Sequence, residues 1–302
     1  MTIGRRNDII KKKIRAFLTE TFMKFTNYYI FKDDLDAHGI EYAAEHTCKL
    51  GFDSVEFLDF YSDDEPILPD RVDIDETRRT LDKYGLDVSC YSVGINILEL
   101  GREKSVDILM KHAKAAAKLG SPFLHHTLVF PLTLPENAPS YEEILDTVVD
   151  SARVVADGCA KLGITCIYEP QGMYFNGIDG LGGFFERIKA LCPGVGICGD
   201  FGNSLFVDVD PKGVISTFAP NIKHVHIKDY TLSESPMEGI DGYVSRGGTY
   251  IYETELGTGA VDFSYGFNEI KKFDYDGAIS FEFYADDAEM CRSIEYVKGL
   301  LK

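Results

Sequence analysis

Four side chains in the second half of the chain are of the types that hold a divalent cation: Glu169 in CIYEP, Asp200 in ICGDFGN, His226 in HVHIKD and Glu282 in ISFEFY. Each stands at the carboxyl end of a β-rich run. Three carboxylates gathered out of water repel one another and are costly to desolvate unless protons or a cation neutralise them. Three oxygens and one imidazole nitrogen form a hard-to-borderline donor set, suited to Mn2+, Mg2+ or Co2+, with Zn2+ as a further fit. A divalent ion on a carbonyl oxygen and its neighbouring hydroxyl acts as a Lewis acid and stabilises the enediolate left when a base removes the adjacent C–H proton. Return of that proton to the opposite face gives epimerisation, and return to the neighbouring carbon gives isomerisation.

Such a cluster needs elements that bring four distant residues to one place. From Met23 onward, eight short runs read as strands: KFTNYYIF, SVEFLDFY, VSCYSVGIN, FLHHTLVF, ITCIYEPQG, VGICGDFGN, KHVHIKDY and AISFEFY. Between them lie stretches such as GREKSVDILMKHAKAAAKLG, with apolar residues at three- and four-residue spacing and a glycine near the C-terminal end, a helical pattern. Strict alternation of strand and helix implies parallel strands, and eight units suit a closed (β/α)8 TIM barrel of one domain. No GxGxxG loop follows the first strand, which disfavours a dinucleotide-binding domain. Side-chain parity places Thr165, Ile167 and Glu169 inward on the fifth strand, and Ser280 and Glu282 inward on the eighth. Long connections at residues 131–140 and 231–262, the second after strand 7, are expected to cover the barrel mouth. Residues 1–22 are basic in an acidic chain and read as an N-terminal extension to a barrel spanning 23–302.

With 49 acidic against 31 basic residues, the net charge of -18 repels phosphate backbones and anionic membrane surfaces, so neither nucleic acid nor membrane is an expected partner. The chain has no apolar run of membrane-spanning length. Its seven cysteines include no CxxC pair; Cys90, Cys166 and Cys198 read as reduced core thiols, which suits a cytoplasmic location.

The DFGN around Asp200, the HVHIKD around His226, the LGTGAVDF segment and the final FEFY resemble the xylose-isomerase-like barrels, a superfamily of sugar-phosphate isomerases, ketose epimerases, hydroxypyruvate isomerases and inosose dehydratases. The resemblance runs from Met23 to the C-terminus. It implies that Glu169, Asp200, His226 and Glu282 bind one catalytic divalent ion, with Mn2+ the first choice, and that Glu169 and Glu282 also exchange protons with the substrate carbon. The implied activity is isomerisation or epimerisation of a ketose or related keto-sugar. Two departures from the ketose epimerases stand out. Leu232 occupies the place of their substrate-binding arginine, and Asn203 stands where many members carry histidine.

His125 and His126 end the fourth strand. Neighbouring strand residues point oppositely, so one of the pair faces the pocket, and parity does not choose between them. We assign His126 as a candidate general base, given an imidazole pKa of roughly 6.5, and His125 as a substrate contact. Asn203, Lys228, Glu56 and Arg246 complete the candidate substrate contacts. The histidine pair raises an alternative: a lyase or dehydratase acting by β-elimination on an inosose or 3-keto-glycoside, as in C-glycoside deglycosidases. Two other classes are a metal-dependent endonuclease, which the acidic charge opposes, and a non-catalytic sugar-binding barrel. The expected partner is a small carbohydrate, unphosphorylated for want of a glycine-rich phosphate cradle. Self-association into a homo-oligomer is expected, or a hetero-oligomer for a deglycosidase.

Overall fold

Polar and apolar residues alternate along the β-rich runs, giving each strand one face for the helices and one for a common axis. The computed structural model describes residues 23–302; the expected extension of residues 1–22 lies outside the described residues. The strands are β1 (Lys24–Asn27), β2 (Ser54–Phe60), β3 (Asp87–Gly94), β4 (Phe123–His126), β5 (Thr165–Tyr168), β6 (Gly196–Asp200), β7 (Ile222–Ile227), β8 (Asp229–Ser233), β9 (Tyr243–Val244), β10 (Tyr250–Thr254) and β11 (Ala278–Phe281). Eight of them close a parallel barrel in the order β1-β11-β7-β6-β5-β4-β3-β2, with helices between successive barrel strands. This is the (β/α)8 TIM barrel of one domain expected from the sequence.

The packing explains why the strand ends point where they do. On β11, Ile279 and Phe281 enter the layer between strands and helices, where the Phe281 ring meets Phe25 and Phe52 edge-on at 5.4 and 5.3 Å. Burying one such ring contributes roughly 1.5–3 kcal/mol. A one-residue slip would expose that layer, so the same packing holds Ser280 and Glu282 inward. Inside the barrel the apolar filling is thin, with Cys90, Ile167 and Cys198 in contact. The rest of the axis is polar: Thr26, Ser54, Glu56, Ser92, His224 and Ser280 are all buried. All seven cysteines are free, in keeping with the expected reduced thiols.

Two local expectations change. KFTNYYIF does not continue as a strand, because the Asn27 side chain accepts the Phe31 N–H at 3.1 Å and donates to Thr47 at 2.9 Å. The chain turns there into the helix Tyr29–His38, leaving Tyr28 and Tyr29 over the mouth. The long connection after β7 is also more than a loop, since β8, β10 and β9 form an antiparallel sheet with Ile251 opposite Leu232 and Tyr243. Among the described residues, no helix is long and apolar enough to cross a membrane.

Asp229 ties this excursion to the barrel. Its buried carboxylate accepts the backbone N–H groups of Tyr230, Gly257 and Gly259 at 2.9 Å and of Val261 at 3.0 Å. A Cβ on Gly259 would lie 2.4 Å from Asp229 Oδ1 and 2.5 Å from the Tyr230 carbonyl, so the close approach requires glycine. Hydrogen bonds to a charged group contribute about 1.5–3 kcal/mol each, and orphaned donors cost more. Asp229→Ala is therefore expected to lower stability by about 3 kcal/mol, read as a reduced midpoint in urea unfolding with an unchanged slope.

Candidate metal centre and active site

The barrel ends bring the four sequence-selected residues together. Asp200 closes β6 directly opposite His226 on β7, and Ser280 on β11 pairs with His226 from the other side. Glu169 follows β5 immediately, and Glu282 follows β11, its N–H bonded to the Ile227 carbonyl at 3.0 Å. One donor atom from each of the four lies within 4.8 Å of the others. An octahedral ion with bonds of about 2.1 Å separates its ligand atoms by about 3 to 4.2 Å, so slight closure would seat one small ion among them.

Each of the four residues has one polar atom held and one left over. Glu169 Oε1 accepts from Asn203 Nδ2 at 2.6 Å, and Asp200 Oδ1 accepts from the Gly202 N–H at 2.8 Å and from the Asn203 N–H. Glu282 Oε1 accepts from the Tyr29 hydroxyl at 2.9 Å, and His226 Nε2 meets Glu56 Oε1 at 3.0 Å. The leftover atoms, Glu169 Oε2, Asp200 Oδ2, His226 Nδ1 and Glu282 Oε2, are buried without a hydrogen-bond partner. His226 Nδ1 lies 2.9 Å from Glu282 Oε2 and 3.4 Å from Glu169 Oε2, but off hydrogen-bond angle. Three of the four have a nitrogen nearby, the Lys228 ammonium beside Glu282 Oε2 and Asp200 Oδ2 and His125 Nε2 beside Glu169 Oε2, and with hydrogen bonds unmade the four converging atoms fit a further cation. Burial pushes the Asp200 carboxyl up to about 6, with Glu282 and Glu169 adding to the rise and Lys228 opposing it, as expected for crowded like charges.

Lys228 contacts the cluster itself. Its buried ammonium stands 2.9 Å from Glu282 Oε2 and 3.3 Å from Asp200 Oδ2, so its partners are two strand-end carboxylates and not a neighbouring loop. Asn203 sits beside Glu169 through the bond already given.

Three assignments change. His126 turns outward: its ring packs edge-on against Tyr168 at 5.2 Å, its Nδ1 meets the Thr127 carbonyl at 3.0 Å, and burial lowers its pKa to about 4. His125 is the residue that faces the pocket, with Nε2 at 2.9 Å from Glu169 Oε2 and Nδ1 at 2.9 Å from Ser92 Oγ. Glu56 is not a substrate contact, because it is fully buried beneath the cluster with both oxygens engaged by His224, His226, Ser92 and Ser280. Arg246 also lies away from the pocket; it is exposed and donates to the Met173 carbonyl, bracing the excursion against the segment after β5.

Sequence reasoning missed Tyr28, Tyr29, Ser92 and His224. Tyr28 and Tyr29 line the pocket, and the Tyr28 ring lies over His226 at a centroid distance of 5.1 Å. His224 shares the parity of His226, and the HVH spacing is the signal that points to it.

Comparison with known proteins agrees with this architecture. A family model described as the xylose isomerase-like TIM barrel matches residues 43–300. A ketose 3-epimerase from Arthrobacter globiformis is 24% identical, over 85% of this chain and 81% of its own. Among solved structures, a xylose isomerase-like TIM barrel protein from Mycobacterium smegmatis in complex with magnesium superposes with a TM-score of 0.71 at 18% identity, covering 93% of this chain and 97% of that one. The 3-keto-D-glucoside 4-epimerase from E. coli superposes with a TM-score of 0.68 at 20% identity, covering 92% and 99%. At such identities the structural likeness speaks for the fold, and the family match covers most of the sequence: the chain belongs to the xylose isomerase-like TIM barrel family.

Proposed function

We propose that this protein is a divalent-metal-dependent isomerase or epimerase of an unphosphorylated keto-sugar, with Glu169, Asp200, His226 and Glu282 as the metal ligands. The observation that carries the reading is the convergence of four buried donor atoms, three of them carboxylate oxygens, beneath an aromatic-walled pocket. When bound, an ion of the Mn2+ class would supply Lewis-acid polarisation of a ketone and its neighbouring hydroxyl. The two relatives named as epimerases act, by their names, at a carbon next to a ketone, where a C–H proton is acidified by the same carbonyl. Mn2+ is preferred over Zn2+ because three of the four donors are carboxylates.

The chain's own residues divide the remaining work. Glu169 and Glu282 reach the centre from β5 and β11, strands separated by β6 and β7, so they approach a bound sugar from different sides. One carboxylate removes the C–H proton to give the enediolate, and the other returns it. Tyr29 holds Glu282 Oε1 and Asn203 holds Glu169 Oε1, which turns the second oxygen of each toward the cluster, beside Lys228 and His125 respectively. Tyr28, Tyr29 and Phe60 wall the pocket and suit the apolar faces of a sugar. Lys228 is already paired with two carboxylates and Arg246 turns away, which supports a neutral substrate over a phosphorylated one. The free thiols suit the cytoplasm.

One observation favours β-elimination as the second reading. His125 Nε2 stands 2.9 Å from Glu169 Oε2 at the pocket wall, where the ring, once protonated on both nitrogens, can pass its Nε2 proton to a departing oxygen. Proton NMR of ketoses, inososes and 3-keto-glycosides incubated with Mn2+-loaded protein in D2O tests both readings. Deuterium entering a carbon next to the carbonyl supports enediolate chemistry, and the product separates an epimer or isomer from an unsaturated ketone. Absence of exchange in every candidate would refute the proposal. With a substrate that eliminates, His125→Asn is expected to slow formation of the unsaturated ketone by about 10²-fold, whereas His126→Asn, altering a residue outside the pocket, should leave it within about threefold of wild type. The paired rates of product formation check the assignment.

A further inference from the structure

Below the four converging atoms lies a second layer of polar side chains that the proposed chemistry does not use directly. Its hub is Glu56 on β2, whose two oxygens meet groups from three other strands. His226 Nε2 approaches Oε1 at 3.0 Å and Oε2 at 3.2 Å, and His224 Nε2 approaches Oε2 at 2.7 Å. The Ser92 hydroxyl donates to Oε1 and the Ser280 hydroxyl to Oε2. A carboxylate offers about four acceptor positions, and here all are filled, with Glu56, His224, His226 and Ser280 each fully buried.

We propose that Glu56 is a positioning residue for the metal centre: by accepting the His226 Nε2–H it fixes that imidazole with Nδ1 as the ligating atom, aimed at Glu169, Asp200 and Glu282. The inference rests on the metal reading above. A neutral imidazole carries one N–H, so committing Nε2 to a carboxylate leaves the lone pair on Nδ1. His226 Nδ1 is the atom that faces Glu282 and Glu169, and outer carboxylates orient ligating histidines in the same way at other metal sites. Ser280 closes the rear of the layer, with its hydroxyl 2.9 Å from His224 Nε2. Ser92 extends the layer forward. It has one hydrogen, which goes to Glu56, so its oxygen accepts from His125 Nδ1 at 2.9 Å. His125 Nε2 is thereby directed at Glu169 Oε2, and one buried carboxylate orients two imidazoles, His226, itself one of the four ligands, and His125, beside another.

The test compares wild type, Glu56→Gln and Ser280→Ala for Mn2+ affinity by calorimetric titration and for the His226 tautomer by 15N NMR of the neutral ring. Glu56→Gln preserves shape but replaces one acceptor with a donor, and is expected to weaken Mn2+ binding 10- to 100-fold and to populate both His226 tautomers. Ser280→Ala removes a different donor to Glu56 and should change Mn2+ affinity less than threefold. Wild-type His226 is expected to carry its proton on Nε2. Glu56→Gln binding Mn2+ as tightly as wild type, or wild-type His226 protonated on Nδ1, would overturn the proposal, and the second result stands even if Glu56→Gln does not fold. Failure of folded wild type to bind Mn2+ with the Nε2–H tautomer present would instead refute the metal reading.

Discussion

Glu282→Gln should leave a folded barrel that turns over its keto-sugar about 10²- to 10⁴-fold more slowly than wild type at saturating Mn2+, the range set by losing a positioned general base. The substitution is nearly isosteric, and its carbonyl oxygen can still accept from Tyr29, as Glu282 Oε1 does now at 2.9 Å. What it loses is the carboxylate at the position of Oε2, the atom facing His226 Nδ1 and Lys228 at 2.9 Å. An amide there neither accepts a carbon-bound proton nor balances the ammonium. Glu169→Gln should behave similarly, because Asn203 holds its other oxygen in place. Product formation followed by NMR at several Mn2+ concentrations separates lost proton transfer from weakened metal binding. Turnover within tenfold of wild type in both variants would remove these carboxylates from the proton-transfer role.

Asp200→Asn should separate metal binding from folding. Asp200 Oδ1 accepts the Gly202 and Asn203 N–H groups in the turn after β6, a task an asparagine oxygen can keep. Oδ2 is the atom that faces the cluster, 3.3 Å from the Lys228 ammonium, and the substitution puts an NH2 group there. The metal-free variant should be at least as stable as metal-free wild type, because one of three crowded carboxylates is gone. Ligand binding stabilises a fold by RT ln(1 + [L]/Kd), about 4 kcal/mol at a thousandfold excess over Kd. For a domain of this size that is a rise on the order of 8 °C in Tm. Thermal melts with and without Mn2+ should show the rise in wild type and almost none in Asp200→Asn. An equal rise in both would place the ion elsewhere.

The barrel and its inward parity were readable because ISFE alternates so plainly: Ile279 and Phe281 are apolar and pack outward, while Ser280 and Glu282 are polar and face the axis. β4 offers no such contrast. Phe123 and Leu124 are both apolar, so nothing sets the phase for His125 and His126. Parity also says nothing about depth. Glu56 is an inward residue, but it is the third of seven in β2, well below the rim where Glu169 and Glu282 lie just past their strands. Moreover, the β2–β3 register shifts between Val55 and Glu56, an irregularity that re-aims side chains and leaves no mark in the sequence. The excursion after β7 reads in the sequence as a long connection over the barrel mouth, but its sheet pairs β8 with β10 across a long insertion, a non-local contact that alternation does not reveal.

Titrating Mn2+ into chelator-treated, folded wild-type protein by calorimetry is the most direct test of the four-residue centre. One ion per chain is expected, bound with release of protons and abolished by Asp200→Asn. A folded wild-type protein that takes up no ion would contradict the four-residue centre, and would leave Lys228 as the cation that balances the cluster.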